Sequence, residues 1–285
     1  MKLIRFGKQG EEKPGILLSN DEKIDVSSFV SDYDEKFFES GGLVNLKDWL
    51  NENESSAPRL DDSIRLGSPI ARPSKIICIG LNFKDHAAES GFDAPEEPLI
   101  FGKATSAICG PYDNIIIPRG SEQTDWEVEL GVVIGKKTSY VDQDQALDHV
   151  GGYVLHNDVS ERAFQKDRGG QWIKGKSADT FAPMGPFMAT PDEIDNISDM
   201  RMWLNVNGEN MQDGNTSNLI FSVDHVVSYL SQFMTLLPGD VISTGTPAGV
   251  GMGMNPEKYL KPGDVVELGI DGLGSSKQNV VAYEE

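Results

Sequence analysis

The sequence predicts a protein of the α+β class that is mainly β. Short apolar runs rich in β-branched residues recur along the chain, most clearly at 127–135, 152–155 and 241–244. Two Pro-Gly-Asp turns, in LLPGDVIST and LKPGDVVELGI, stand directly before such runs, and Pro and Gly suit the two central turn positions. The strands do not alternate regularly with helices, which argues against a TIM barrel or a Rossmann fold.

The first part of the chain reads as short strands and turns. KLIRFG and GILLSN flank a polar GEEKP turn, and IDVSSFV precedes a helical pattern near Val44–Leu50. The polar stretch NENESSAPRLDD follows, so we predict a small N-terminal α/β module at residues 1–70 and a main domain at 71–285. In the main domain the residue pattern predicts strands and one clear helix: Lys75–Gly80, Asn114–Ile117, Glu127–Gly135, Gly152–Leu155, Met202–Val206 and Val241–Thr244, with the helix at Ser222–Phe233.

Composition excludes several classes of protein. The 285 residues suffice for a sizeable core. Lys and Arg number 25 against 45 Asp and Glu, a net charge of −20, which argues against nucleic-acid and anionic membrane partners. Cys78 and Cys109 form no CxxC pair, so neither a disulfide framework nor a Cys-rich zinc site is expected. No signal-like or membrane-spanning apolar run is seen, so a cytoplasmic location is expected.

Acidic side chains gather at the ends of two apolar runs. In TDWEVELGVVIG, Glu127 and Glu129 alternate and so share one face of a strand, with Asp125 before them on the same side. Asp158 ends the run GGYVLHNDVS. Three carboxylates without Cys or His favour Mg²⁺ or Mn²⁺. Two alternatives stay open: a strand with its acidic face in water, and Asp158 as the cap of a helix starting at Ser160.

Three further segments carry candidate chemistry. In LNFKDHAAESG, one helical turn joins His86 to Glu89, as in a general base and its orienting carboxylate. The segment GFDAPEEP after them is a candidate flap; the alternative is a solvated surface turn. Lys174 and Lys176 alternate as in a strand, and either one binds a substrate anion or both are exposed. The glycines of STGTPAGVGMGM form a backbone nest for a carboxylate or a plain flexible loop.

Together these segments resemble the fumarylacetoacetate hydrolase superfamily. The resemblance covers residue 72 to the C-terminus, in the family's order, and rests on KIICIGLNFKDHAAES, PLIFGKATSAICGP, DWEVELGVVIGK, HNDVSERAFQ, GGQWIKGKSADTFAPMGP and LLPGDVISTGTPAGVGMG. It implies a mixed β-roll catalytic domain behind the small N-terminal module, in a homodimer with Mg²⁺ or Mn²⁺. The residues that match family motifs are the metal ligands Glu127, Glu129 and Asp158, the catalytic His86, Glu89 and Lys176, and the substrate-binding Arg162, Gln165, Gly245 and Thr246.

The resemblance also implies a reaction. It suggests metal-dependent hydrolysis of the C3–C4 bond of a 2,4-diketo acid, such as 2,4-diketo-3-deoxy-L-fuconate or the rhamnonate derivative, to pyruvate and a carboxylic acid. Alternatives within the superfamily are a ureidoglycolate lyase, a 2-oxo-diacid isomerase and an oxaloacetate decarboxylase. An alternative of another class is a non-catalytic protein that binds a metal and a diacid. The His86/Glu89 pair argues against it, because binding alone needs no base.

Overall fold

The protein is mainly β, as the sequence predicts. The computed structural model describes residues 1–89, 91 and 93–284. Its strands, in chain order, are β1 (Lys2–Phe6), β2 (Lys13–Leu17), β3 (Lys23–Asp25), β4 (Leu66–Gly67), β5 (Ile76–Gly80), β6 (Leu99–Lys103), β7 (Ile108–Cys109), β8 (Ile115–Ile117), β9 (Thr124–Asp125), β10 (Val128–Ile134), β11 (Val150–Asn157), β12 (Ser160–Glu161), β13 (Ala182–Ala189), β14 (Arg201–Val206), β15 (Glu209–Asn215), β16 (Val241–Ser243), β17 (Val265–Ile270) and β18 (Gly274–Ala282).

The helices are few and short. They are α1 (Glu35–Glu39), α2 (Gly42–Asn53), α3 (Lys84–Glu89), α4 (Arg162–Lys166), α5 (Ile173–Lys176) and α6 (Val223–Ser231). The helix predicted from the periodicity of valines is confirmed as α6, and the pattern near Val44–Leu50 is confirmed within α2. Within the described residues, no helix is both long and apolar enough to cross a membrane.

The strands form one large mixed sheet and one smaller sheet. The large sheet has the order β3-β2-β1-β13-β11-β10-β16-β5-β6, with β4 paired to β1 and β7 to β13. The smaller one has the order β15-β14-β17-β18-β8, and β9 pairs with β12 separately. All the predicted strands of the main domain are present, with ends that shift by one or two residues. Each Pro-Gly turn has its glycine at positive φ, +87° at Gly239 and +98° at Gly263, as predicted.

The centre of the large sheet is fully buried. Every residue of β10 and β11 is buried, so both faces of the sheet are covered here. β10 lies between β11 and β16, so a strand with an acidic face in water is the wrong reading of this segment. The position of β10 places its first residues at the edge of an apolar core.

The first part of the chain shares the large sheet. β1 pairs with β13 through Lys2↔Ala189 and Leu3↔Met188, so strands from both sides of the predicted boundary at residue 70 lie in one hydrogen-bonded array. Arg65 adds a side-chain link, because its guanidinium binds Asp113 through two hydrogen bonds of 2.8 and 2.6 Å. The division into 1–70 and 71–285 therefore stays a prediction from the sequence.

Candidate active site

The pairing of β10 with β11 brings Glu127 to Asp158. Val128 is paired with Asn157, so Glu127, one residue before β10, lies opposite Asp158, one residue after β11. The backbone N–H of Asp158 donates to the Glu127 carbonyl at 2.9 Å. Glu129 lies two residues beyond Glu127, and this spacing places both side chains on one face of the strand. Strand register thus assembles the three predicted carboxylates.

These three residues form one buried cluster, called here the carboxylate triad. One oxygen from each carboxylate lies within 4.8 Å of the others. The exposed fractions are 5% for Glu127, 2% for Glu129 and 0% for Asp158. Three adjacent carboxylates at this depth are costly unless positive charge compensates them.

Two lysines supply positive charge to Asp158. Lys176 Nζ donates to Asp158 Oδ2 and to Glu127 Oε2, both at 2.7 Å. Lys103, the last residue of β6, donates to Asp158 Oδ1 and to the neighbouring backbone carbonyl of Val159. Both oxygens of Asp158 are thereby occupied, and α4 begins only after β12. The reading of Asp158 as a helix cap is therefore wrong.

The structure corrects the prediction for the lysine segment. Lys174 and Lys176 lie in the helix α5 and not in a strand. The alternation of Lys174 and Lys176 predicts a strand, but a segment this short also fits one helical turn. Lys176 is 1% exposed, so the alternative of an exposed lysine is wrong for it, whereas Lys174 is exposed and donates to the Arg168 carbonyl at 2.7 Å.

Arg162 binds the other side of the triad. Its Nη2 donates to Glu127 Oε1 at 2.6 Å, its Nε to Asp125 Oδ2 at 2.8 Å, and its Nη1 to Gln165 Oε1 at 3.1 Å. Asp125 also accepts the backbone N–H of Gly251 at 2.7 Å. Asp125 therefore supports Arg162 from behind and does not join the triad.

Glu129 is held by the segment after β16. Its Oε2 accepts the Ser243 hydroxyl and the backbone N–H of Gly245, the latter at 2.9 Å. Gly245 has a φ of +104°, and a Cβ on it would lie 2.9 Å from the Cβ of Asn82. A side chain here would be strained and crowded, so glycine is what lets the backbone N–H reach the carboxylate.

His86 and Glu89 lie on α3, one turn apart. His86 Nδ1 is 3.3 Å from Glu89 Oε2, and Glu89 Oε1 accepts the backbone N–H of Gly249 at 3.0 Å. His86 is 7% exposed, so the alternative of a solvated surface turn is wrong for this histidine. The predicted flap GFDAPEEP includes Phe92, which with Ser90 lies outside the described residues, and the flap stays a prediction.

A single cavity of about 560 Å³ collects these side chains. Thr246 lines it while its hydroxyl donates to the Val128 carbonyl at 2.9 Å. The predicted site residues on its wall are Glu127, Glu129, His86, Glu89, Lys176, Arg162, Gln165, Gly245 and Thr246. Asp158 lies behind them within the triad. The structure thus brings every sequence-predicted site residue to one place, while their individual roles remain predictions.

The electrostatics of the triad are uneven. Burial raises the pKa of Glu129 well above its ordinary value, and the charges of Asp158 and Glu127 raise it further. Burial alone would also raise the pKa of Asp158, but Lys103 and Lys176 outweigh it and hold that pKa well below the ordinary value. The carboxylate of Glu129 is therefore the one whose ionised form most needs an additional cation.

Sequence comparison assigns the chain to a family. Residues 75–281 match the family profile described as fumarylacetoacetate (FAA) hydrolase C-terminal, which is more than half of the chain. The chain belongs to the fumarylacetoacetate hydrolase family. Enzymes of this family include hydrolases and isomerases, so the predicted class of protein, an enzyme, is confirmed.

Similar proteins extend over the whole chain. A protein from Burkholderia ambifaria, named provisionally as a hydrolase and without a substrate, is 51% identical over 280 residues, which is 98% of each chain. The fumarylacetoacetate hydrolase of Exiguobacterium antarcticum is 35% identical with a TM-score of 0.86, over 99% of this chain and 100% of that one. The maleylpyruvate hydrolase of Sphingobium sp. SYK-6, crystallised with manganese(II) and pyruvate, is 27% identical with a TM-score of 0.83 over 100% of both chains.

The triad of this family member fits a divalent cation. Its ligand atoms are carboxylate oxygens, the donors that Mg²⁺ and Mn²⁺ prefer, and they already lie within 4.8 Å of one another. Burial, and after it the charges of Asp158 and Glu127, raises the pKa of Glu129, and a cation bound here would favour its ionised form. Glu127, Glu129 and Asp158 would hold the ion.

The sequence reasoning missed Lys103. This lysine is 4% exposed overall and its side chain is fully buried against Asp158. One signal for it was present in the sequence, because LIFGK places a charged residue at the end of an apolar run. Nothing in the sequence indicated its partner, which lies 55 residues further along the chain. Only the folded sheet brings the ends of β6 and β11 together.

Proposed function

We propose that this protein hydrolyses the C3–C4 bond of a 2,4-diketo acid to give pyruvate and a carboxylic acid. The observation that carries the proposal is that the His86/Glu89 pair lines the same cavity as Glu127 and Glu129. A site that only binds a metal and a diacid has no use for a base beside it. Hydrolysis needs both a base for water and positive charge for the product enolate.

The base in this proposal is His86. With Nδ1 directed to Glu89, the neutral imidazole keeps Nε2 free to accept a proton from water. The carboxylate fixes the orientation of the ring. Glu89 is itself anchored to the Gly249 backbone, so the pair is a positioned base and not a loose surface contact.

The atoms of the reaction balance with water as the only co-reactant. The water oxygen bonds to C4 as His86 takes its proton, the C3–C4 bond breaks, and its electron pair forms the pyruvate enolate. C3 then receives a proton from His86, and the new carboxylic acid loses its own proton to solvent. A divalent cation held by Glu127, Glu129 and Asp158 would supply positive charge that stabilises the enolate.

The cations of the chain complete the anion site. Lys176 and Arg162 both bind Glu127, and both line the cavity. In a protein with a net charge of −20, an anionic substrate needs a local positive field. We assign that field to Lys176 and Arg162 together with the bound cation, and substrate orientation to Gln165, Gly245 and Thr246.

A variant of His86 tests the proposal. His86→Ala should reduce kcat/KM for acetylpyruvate by at least about 10²-fold, the range for a general base. Calorimetry should show that it still binds Mn²⁺ and oxalate, a planar mimic of the pyruvate enolate. His225, on α6 and outside the cavity, is the matched control, and His225→Ala should leave kcat/KM unchanged.

The same variant separates the alternatives. Decarboxylation of oxaloacetate needs no attacking water, so it should survive His86→Ala better than hydrolysis does. If both reactions fall equally while oxalate affinity is unchanged, His86 does not activate water and the mechanism is wrong. Substrate screening with ureidoglycolate and 2-oxo diacids tests the lyase and isomerase alternatives directly.

The expected homodimer rests on the family resemblance, whereas the expected location and the expected lack of nucleic-acid and membrane partners rest on the composition and patterns of the sequence. We propose a homodimer in the cytoplasm, with a small anionic 2-oxo acid as substrate and no nucleic-acid or membrane partner. Sedimentation velocity and cell fractionation test these two points. A monomer at catalytic concentrations would contradict the dimer.

A further inference from the structure

The residues that line the cavity fall into two groups. The predicted site residues form the first group, called here the catalytic side. The cavity lining also includes residues that belong neither to the carboxylate triad nor to the His86/Glu89 pair, and that are not among the other predicted site residues. The apolar side chains among these are Ile79, Leu81, Leu99, Phe101, Trp172 and Met252. Of the described lining residues outside the catalytic side, only Lys166 and Glu257 are charged. A substrate held by the catalytic side therefore extends along a largely apolar surface.

Phe101 and Trp172 form the core of this surface, which we call the apolar wall. Their ring centroids are 5.2 Å apart at an interplanar angle of 60°, an edge-to-face contact that fixes both rings. On its other side, Phe101 lies below Lys176, whose Nζ is 5.1 Å from the ring centroid. The wall thus begins one ring away from a lysine that binds the triad.

Gly80 determines where the Trp172 ring lies. A Cβ at Gly80 would come within 2.8 Å of Trp172 Cζ3, a distance that forces the ring to move. Gly80 also lines the cavity. Because this position has no side chain, the indole ring of Trp172 lies directly against β5. A substitution at Gly80 would therefore displace the Trp172 ring without removing it.

The two charged residues oppose each other in sign. Lys166 is exposed, and among the described residues it makes no ion pair. Glu257 is also exposed, and its carboxylate accepts the Tyr259 hydroxyl at 2.8 Å. A second carboxylate on the substrate would be attracted by one and repelled by the other. Lys166 and Glu257 together offer too few hydrogen-bonding groups to pair with several hydroxyl groups.

We propose that the substituent beyond C4 is apolar, an alkyl or aryl acyl group, and that Phe101 and Trp172 determine this specificity. The inference rests on the proposed hydrolysis of 2,4-diketo acids and names the substrate class for it. Hydroxyl groups placed against the wall would lose their hydrogen bonds to water without replacement. The wall therefore disfavours the polyhydroxylated chains of the sugar-acid derivatives that the resemblance suggests.

A series of acylpyruvates of increasing chain length tests the inference. With Mn²⁺ present, kcat/KM should rise by about fourfold for each CH₂ from acetyl- to hexanoylpyruvate, the factor expected for burial of one methylene. A 2,4-diketo-3-deoxy sugar acid of similar length should be cleaved more slowly than hexanoylpyruvate. A flat series, or a faster reaction with the sugar acid, would overturn the inference.

Variants of the wall make the test specific. Trp172→Ala should lower the ratio of kcat/KM for hexanoyl- to acetylpyruvate by about tenfold or more, the lower end of the range for pocket contacts. Gly80→Ala, which displaces the ring, should lower the same ratio. Ile173→Ala is the matched control, because Ile173 is the next residue and does not line this cavity; its ratio should not change.

Two further measurements separate the possible failures. Failure to cleave any acylpyruvate of the series would refute the proposed hydrolysis. In that case calorimetric titration of the Mn²⁺-loaded protein with straight-chain 2-oxo acids still measures the wall, through a gain in affinity with each CH₂ that Trp172→Ala removes. Faster cleavage of a dicarboxylic acylpyruvate, lost in Lys166→Gln, would overturn the inference in favour of a distal carboxylate.

Discussion

Replacing Lys103 by methionine should destabilise the protein strongly. The side chains of Lys103 and Asp158 are both 0% exposed, and methionine fills a similar volume without the ammonium. The variant would leave Asp158 Oδ1 and the Val159 carbonyl without the donor that they share. Removal of one partner from a buried ion pair typically costs about 3–5 kcal/mol, because it leaves the other charge uncompensated.

The contacts of Asp158 place the expected cost near the lower end of that range. Lys176 still donates to Asp158 Oδ2 at 2.7 Å, so the carboxylate keeps one of its two cationic partners. Lys103 makes its second bond to a carbonyl at 3.0 Å, and an acceptor left buried and unpaired costs about 1–3 kcal/mol by itself. We therefore expect the free energy of unfolding to fall by about 3 kcal/mol.

Urea unfolding of the metal-free protein, followed by tryptophan fluorescence, measures this change. Lys258→Met is the matched control, because Lys258 pairs with Glu209 at the surface, where an ion pair contributes at most about 1 kcal/mol. A loss for Lys103→Met no larger than for Lys258→Met would refute the reasoning. The stability that the buried Lys103–Asp158 contact contributes would then not depend on the charge of Lys103.

Three other expectations follow. EDTA should abolish activity, and Mg²⁺ or Mn²⁺ should restore it better than Zn²⁺ because the triad offers only carboxylate oxygens; full activity in a metal-free preparation would contradict this. Glu89→Gln should lower kcat by about tenfold to hundredfold, the range for a carboxylate that orients a histidine, and less than His86→Ala does; an equal loss would contradict a purely orienting role. Burial raises the pKa of the Cys78 and Cys109 thiols, which leaves little thiolate. A thiol reagent at mildly alkaline pH should therefore react with neither cysteine until urea is added. Rapid labelling of the native protein would show that the reasoning about burial is wrong.

The sequence predicts the parts of the site that lie within strands or at their ends. Alternation and the ends of apolar runs mark Glu127, Glu129 and Asp158 as candidates, since a strand has a fixed two-residue period, and the family resemblance selects the metal site over the alternatives. The alternation of Lys174 and Lys176 predicts a strand where the structure has the helix α5, because a segment of four residues contains too little periodicity to tell the two apart. Such local patterns are reliable only where the element is long.

Contacts between distant segments lie beyond this reasoning. Lys103 and Asp158 are separated by 55 residues, and Phe101 meets Trp172 only because β6 and the segment before α5 end at the same cavity. A charged residue in an apolar run indicates that a partner exists, yet it does not identify the partner. The order of the strands in the sheet identifies the partner, and no single segment of the sequence predicts that order.

The pairing of β1 with β13 has a consequence for how members of this family differ in length. The family profile begins only at residue 75, yet the hydrogen-bonding groups of Met188 and Ala189 on β13 are covered by a strand from residues 2 and 3. A relative that lacked this leading segment would expose β13 as an unpaired edge strand, whose free backbone groups can pair with another chain. A chain of this fold without the leading segment would therefore need another cover for β13 to stay free of aggregation.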